Sequence, residues 1–226
     1  MQIQDLGVFL DYLDKIHRRT VRVACCIPAD KLEWSFREGK FTIGDLVRHI
    51  AAIERYMYAE TIQGKPSRYS GCGPELADGL EDVLLFQDRM HRESVEIISR
   101  LGPEDLNRKC ATPEGTPITV WKWLRAMVEH EVHHRGQIYI YLAMLDVPTP
   151  PLYGLTSEQV MERSIRDSAD PRLPYSRAVC SSGPRGRKYC VPRIGSLTRR
   201  SNACKSSLRS TKSISEVFTI SRSEDV

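Results

Sequence analysis

Apolar residues at Leu6, Phe9, Leu10, Leu13 and Ile16 recur at spacings of three and four, the mark of an amphipathic helix from about Ile3 to Cys26. Ile27-Pro28-Ala29-Asp30 breaks the pattern. A second stripe, Ile43, Leu46, Val47, Ile50, Ile53 and Met57, follows Thr42-Ile43-Gly44-Asp45, whose Thr and acidic N3 residue suit a capping box. Gly64-Lys65-Pro66 closes that helix and opens a Gly-, Pro- and Ser-rich loop to Pro74. A third helix is predicted from about Glu75 to Leu101, with Leu76, Leu80, Val83, Leu84, Val95 and Ile98 inward and Gly102-Pro103 as its stop. The fourth runs from about Thr119 to Leu145, ahead of Val147-Pro148-Thr149-Pro150-Pro151, which cannot continue a helix. Thr156 and Gln159 suit the cap of one last short helix, and no stretch reads as a strand. Four helices of about 22–27 residues, joined by loops of about 10–18, predict an all-α fold, a four-helix bundle. Loops of that length leave the up-down order open.

Composition changes this picture only at the C-terminal end. Residues 1–164 hold 20 Lys+Arg against 24 Asp+Glu, a net of −4, whereas residues 165–226 hold 13 against 5, a net of +8. That tail also carries 13 Ser and no apolar periodicity, so it cannot bury enough surface to fold. The expected organisation is a domain over 1–164 and a disordered Ser/Arg-rich tail over 165–226. No apolar run approaches the roughly 20 residues of a membrane span. Met1 leads into Gln2-Ile3-Gln4-Asp5-Leu6 without a secretory signal, and the seven cysteines follow no framework spacing. A cytoplasmic address with reduced thiols is the expectation.

The candidate chemistry lies in the fourth helix. His130-Glu131-Val132-His133-His134 gathers half of the six histidines into five residues. Residues four apart share a helix face, about 5–6 Å apart at Cβ, so His130 and His134 can aim at one divalent metal. His133 is turned about 100° away. His49, at the border of the second helix's apolar stripe, is the candidate third ligand. A lone histidine there is also commonly a core residue, and both readings stand at this point. His17, beside Arg18-Arg19, and His91, in Met90-His91-Arg92-Glu93, read as residues of solvated faces. Three imidazoles would leave a coordination position open, in the manner of catalytic zinc sites, and suit Zn, Ni, Fe or Cu. Trp121, Trp123, Met127, Tyr139 and Tyr141 read as core or pocket wall. Arg135 reads as a solvated or salt-bridged residue, or as a binder of carboxylate or phosphate.

Beyond the residues taken singly, Met127 to Val160, with His130-Glu131-Val132-His133-His134-Arg135-Gly136-Gln137 and Val147-Pro148-Thr149-Pro150-Pro151-Leu152-Tyr153-Gly154, resembles the C-terminal signature of DinB-like proteins. Lys40-Phe41-Thr42-Ile43-Gly44-Asp45-Leu46-Val47-Arg48-His49-Ile50-Ala51 is similar to that family's second helix, and Thr116 to Leu124 to the lead-in of its fourth. The resemblance covers roughly residues 3–164. It implies a four-helix bundle with a divalent-metal site of three histidines, here His49, His130 and His134. It further implies a thiol-dependent transferase using a low-molecular-weight thiol and a small electrophile, or a hydrolase, with homodimers a feature of the family. Two readings compete. His130-Glu131-Val132-His133-His134 matches the H-E-x-x-H of zinc peptidases, with Glu131 as base and Glu158 as a third ligand, although no histidine follows His134. The +8 tail could alternatively attach a metal-stabilised, non-enzymatic bundle to nucleic acid through phosphate contacts.

Overall fold

The computed structural model of the protein describes residues 2–168. Residues 169–226, nearly all of the predicted disordered tail, lie outside the described residues. The chain divides into two units, residues 1–152 and 153–226. The described part of the second carries one helix, Ser157–Ser168, begun by the reciprocal pair predicted for Thr156 and Gln159, at 3.0 and 3.3 Å.

In the first unit the four predicted helices form. α1 (Leu6–Ala24) is capped by Asp5, whose side chain accepts from the Val8 amide at 2.9 Å. α2 (Ile43–Ile53) opens with the expected capping box, Thr42 and Asp45 bonding each other's backbone amides at 2.9 Å. It then runs into a π-helical segment, Glu54–Tyr58, and one more α turn, Ala59–Thr61. α3 (Leu80–Ile98) starts at Leu80 rather than Glu75, because the chain before it turns through Gly79 at φ 85°, a left-handed conformation that suits glycine. α4 (Val120–Met144) is as predicted. The loop before it holds an unpredicted hairpin, β1 (Lys109–Ala111) antiparallel to β2 (Pro117–Thr119) with Cys110 opposite Ile118. Three-residue strands are too short for alternation to register in the sequence.

Two apolar clusters give the helix order. One joins Phe9, Leu13 and Ile16 of α1, Ile98 of α3, Val120, Leu124, Met127 and Val128 of α4, and Ile53, Tyr58 and Ile62 along the α2 segment. The other joins Val23 and Ala24, the start of α2 (Ile43, Leu46, Val47, Ile50), Val83, and Ile138, Tyr141 and Leu142. α1 and α4 therefore run in one direction and α2 and α3 in the other. The loop from α2 to α3 must return along the bundle, and it passes beside α2: Arg48 donates to the carbonyls of Cys72 and Ala77 at 2.9 and 3.1 Å.

Between the clusters lies a buried polar layer to which every helix contributes: His17 and Thr20, Glu54, Gln87 and His91, Glu131 and Arg135. This corrects three expectations. His17 and His91 are not on solvated faces; they are 6% and 5% exposed and stack with ring centroids 3.8 Å apart. Their charged sequence neighbours suggested exposure, but His17 shares the inward face of Leu13 and Thr20, and His91 that of Gln87 and Ser94. Arg135 neither meets solvent nor awaits an anion. It is buried and donates to the Ile16 carbonyl at 3.2 Å and the Thr20 hydroxyl at 3.4 Å.

Candidate metal centre

α2 and α4 bring together the His130–His134 pair that the spacing predicts and His49, the candidate third ligand. One ring nitrogen of each lies within 4.8 Å of the others. The Nε2 atoms of His49 and His130 are 3.1 Å apart, and the ring centroids of His130 and His134 are 4.4 Å apart. Ligand nitrogens about 2.0–2.1 Å from one ion are separated by roughly 2.9–3.4 Å, so the observed spacing fits a shared metal.

The rings are oriented from behind. The Tyr69 hydroxyl lies 2.7 Å from His49 Nδ1, and Gln137 Oε1 lies 2.8 Å from His134 Nδ1. The Gln137 amide nitrogen is in turn 3.2 Å from His133 Nε2. An acceptor on Nδ1, such as Gln137 Oε1 on His134, holds a histidine in the tautomer whose Nε2 lone pair is free for a metal. His133 stays exposed and outside the triad. Burial pushes the imidazolium forms out of reach: His49 falls to about 4 through burial and then His134, and His130 to about 3 through burial and its three histidine neighbours. His134 is also lowered by burial, partly opposed by Gln137. At neutral pH the uncharged form of all three is favoured.

Glu131 is not at this centre. Its side chain lies in the buried layer, one Oε1 without a partner, and burial together with Glu54 pushes its carboxyl up to about 7. A peptidase general base must reach the water on the metal, so the H-E-x-x-H match is a coincidence of helix sequence. Glu158 is exposed and accepts from the Ser157 hydroxyl at 3.0 Å. Among the described residues, the His49–His130–His134 group is the one that could hold a metal. Two surface depressions, of about 310 and 500 Å³, include none of its residues.

The aromatic residues named from sequence divide between the core and the surroundings of the site. Met127 and Tyr141 are core. Trp123 donates to the Thr61 hydroxyl at 2.8 Å and packs on Tyr58, which in turn meets His130. Sequence reading missed Tyr69, Gln137 and Phe41. Gln137 carried a signal, standing three residues beyond His134 and four beyond His133; Tyr69 carried none.

A family model of the DinB superfamily matches residues 12–138. The chain belongs to the DinB superfamily. Solved structures agree on the fold. A DinB-like protein from Bacillus cereus superposes with a TM-score of 0.59 at 18% identity, covering 66% of this chain and 99% of that one. YfiT from Bacillus subtilis, described as a probable metal-dependent hydrolase with an unusual four-helix bundle topology, gives 0.54 at 14% identity, with 66% and 91% covered. A second DinB-like protein of Bacillus subtilis, YjoA, gives 0.50 at 20% identity, with 64% and 96% covered. No curated protein matches the chain. No described helix of this DinB protein is long and apolar enough to cross a membrane.

Proposed function

We propose that this DinB protein binds one divalent metal through His49, His130 and His134 and uses it to transfer a low-molecular-weight thiol to a small electrophile. The observation that carries the reading is the convergence of three imidazoles whose burial favours the neutral form. When bound, the metal supplies Lewis acidity that holds a thiol as thiolate at neutral pH, the form that attacks carbon. The protein's part is to present three lone pairs, hold the His49 and His134 rings through Tyr69 and Gln137, and leave one face open. In the transfer the sulfur–carbon bond forms as the leaving group departs with its electron pair, and the thiol proton passes to solvent.

A hydrolase is the second reading, favoured by the fold shared with YfiT. Thiol transfer stands first because a thiol needs no protein base once it meets the metal, and Glu131, one of the two carboxylates adjacent to His130 in sequence, is buried in the core. Metal content per chain by mass spectrometry tests the site. About one equivalent is expected in wild type and in His133→Ala, and a small fraction of it in His49→Ala, His130→Ala and His134→Ala. Metal retained by all four variants, or absent from folded wild type after reconstitution, would sink the reading. Turnover of chlorodinitrobenzene that requires added thiol separates transfer from hydrolysis.

A further inference from the structure

Away from the triad, the larger of the two surface depressions, about 500 Å³, is lined by four cationic side chains drawn from three segments. Arg55 comes from the π-helical segment, Lys65 and Arg68 from the loop that follows it, and Arg100 from just beyond α3. Glu60 is the one carboxylate in the lining. It is buried, and Arg55 and Arg68 both donate to its Oε1, Arg68 at 2.6 Å, so a single negative charge is divided between two guanidiniums. Lys65 Nζ meets the Gln63 amide oxygen at 3.0 Å and, among the described residues, no carboxylate. Outside the lining, Glu93 pairs with Arg55 and Glu96 with Arg100; their side chains are 41% and 66% exposed, where water screens such pairs. Positive charge is therefore in excess over the depression.

The cations are held without being neutralised. The Lys65 amide donates to the Glu60 carbonyl at 3.2 Å and the Arg68 amide to the Tyr56 carbonyl at 2.8 Å, which fixes the loop to the helical segment. The Tyr56 ring lies 5.6 Å from the Arg55 guanidinium carbon and 5.5 Å from that of Arg68, and an aromatic ring steadies a cation without cancelling its charge. Convergence on one hollow differs from the stripe of Lys and Arg that follows a nucleic-acid backbone, and Glu93 and Glu96 would interrupt such a stripe. A depression of this size suits a small organic ligand rather than a bare ion, and Pro66 and Ile97 give it an apolar side.

We propose that this depression binds a small organic phosphate, its phosphoryl group paired with Lys65 and Arg68 and its organic part against Pro66 and Ile97. A guanidinium can donate two parallel hydrogen bonds to phosphate oxygens, and a lysine adds a point charge. The site is independent of the metal reading. Calorimetric titration of the full chain with phenyl phosphate, at fixed ionic strength, tests it. Wild type is expected to bind with a Kd of about 1 mM or tighter, and Lys65→Gln and Arg68→Gln each to weaken binding about fivefold or more. Arg68→Lys, which keeps the charge and loses the paired donors, should fall between. Lys31→Gln, which removes a cation outside the depression, should match wild type, as should His49→Ala. No binding by wild type, or full affinity in both Lys65→Gln and Arg68→Gln, would overturn the inference. Affinity lost in His49→Ala would assign the phosphate to the triad and overturn it as well. So would inorganic phosphate bound as tightly as phenyl phosphate, or a single-stranded oligonucleotide bound more than about tenfold tighter through the same two residues.

Discussion

At the scale of single residues, the proposed metal centre would depend on groups outside the triad. Tyr69 and Gln137 each hold the Nδ1 of one ligand, and such outer partners typically govern metal affinity by about 10–100-fold. Tyr69→Phe and Gln137→Ala should therefore each weaken metal binding by about tenfold or more, measured by competition with a chelator. Gln137→Glu, which keeps an acceptor at the same place, should restore most of the loss. A structural role alone would leave affinity unchanged in protein that is still folded. His130 has no comparable partner on its second nitrogen in the described residues, so its orientation rests on packing against Tyr58 and on its helix.

At the scale of elements, α2 and the loop that follows it do the positioning. Gly44 lies so close to Glu33 and Arg48 that a Cβ there would meet the Glu33 carboxylate at 2.7 Å, which keeps this turn small. Arg48 is fully buried and donates to Glu33, Asp45, the Cys72 carbonyl and the Ala77 carbonyl. One side chain thus ties both flanking loops to the turn that carries His49, and Tyr69 rides on the second of those loops. Arg48→Met should cost about 3 kcal/mol, read by chemical denaturation, because it leaves Glu33 and two buried carbonyls without their donor. The π segment has a separate effect. Its extra residue per turn shifts the following face, so Tyr58 reaches Trp123 and His130, while Glu54 at its start continues the inward face of Val47 and Ile50 and meets His91 at 3.1 Å.

At the scale of the whole molecule, the polar layer ties the four helices together at one level. His91 is raised by Glu54 and Glu131 against the cost of its burial, whereas its stacked partner His17 is lowered by burial and by His91. The pair therefore favours holding one proton rather than two. Glu131 gives the layer a measurable pH signature. Its carboxyl moves from 4.5 to about 7 on folding, so the folded state holds a proton that the unfolded state has lost between those values. The stability it contributes is complete below about 4.5 and is lost as pH rises through 7. Glu131→Gln cannot titrate, so its stability relative to wild type should rise as pH is taken from about 4.5 to about 7. A gap independent of pH in denaturation curves would show that Glu131 keeps its ordinary acidity in the fold.

The sequence by itself determined the helices, their caps and the ligand candidates, because these depend on spacings within ten residues or fewer. Apolar residues three and four apart define α1, α2 and α3; Thr42 and Asp45 mark a helix start; His130 and His134 share a face on any α-helix. The border of the second apolar stripe offered His49 as a third ligand, the family resemblance supported it, and the fold brought it to the other two. What tertiary structure alone decided are the relations between distant segments. The parallel pairing of α1 with α4, the return loop that sets Tyr69 on His49, and the burial of His17, His91, Glu131 and Arg135 all depend on which faces meet. A charged neighbourhood in sequence says little about burial, since adjacent helix residues point about 100° apart. Glu131 shows this most directly: one position from His130, it points about 100° away, into the buried polar layer.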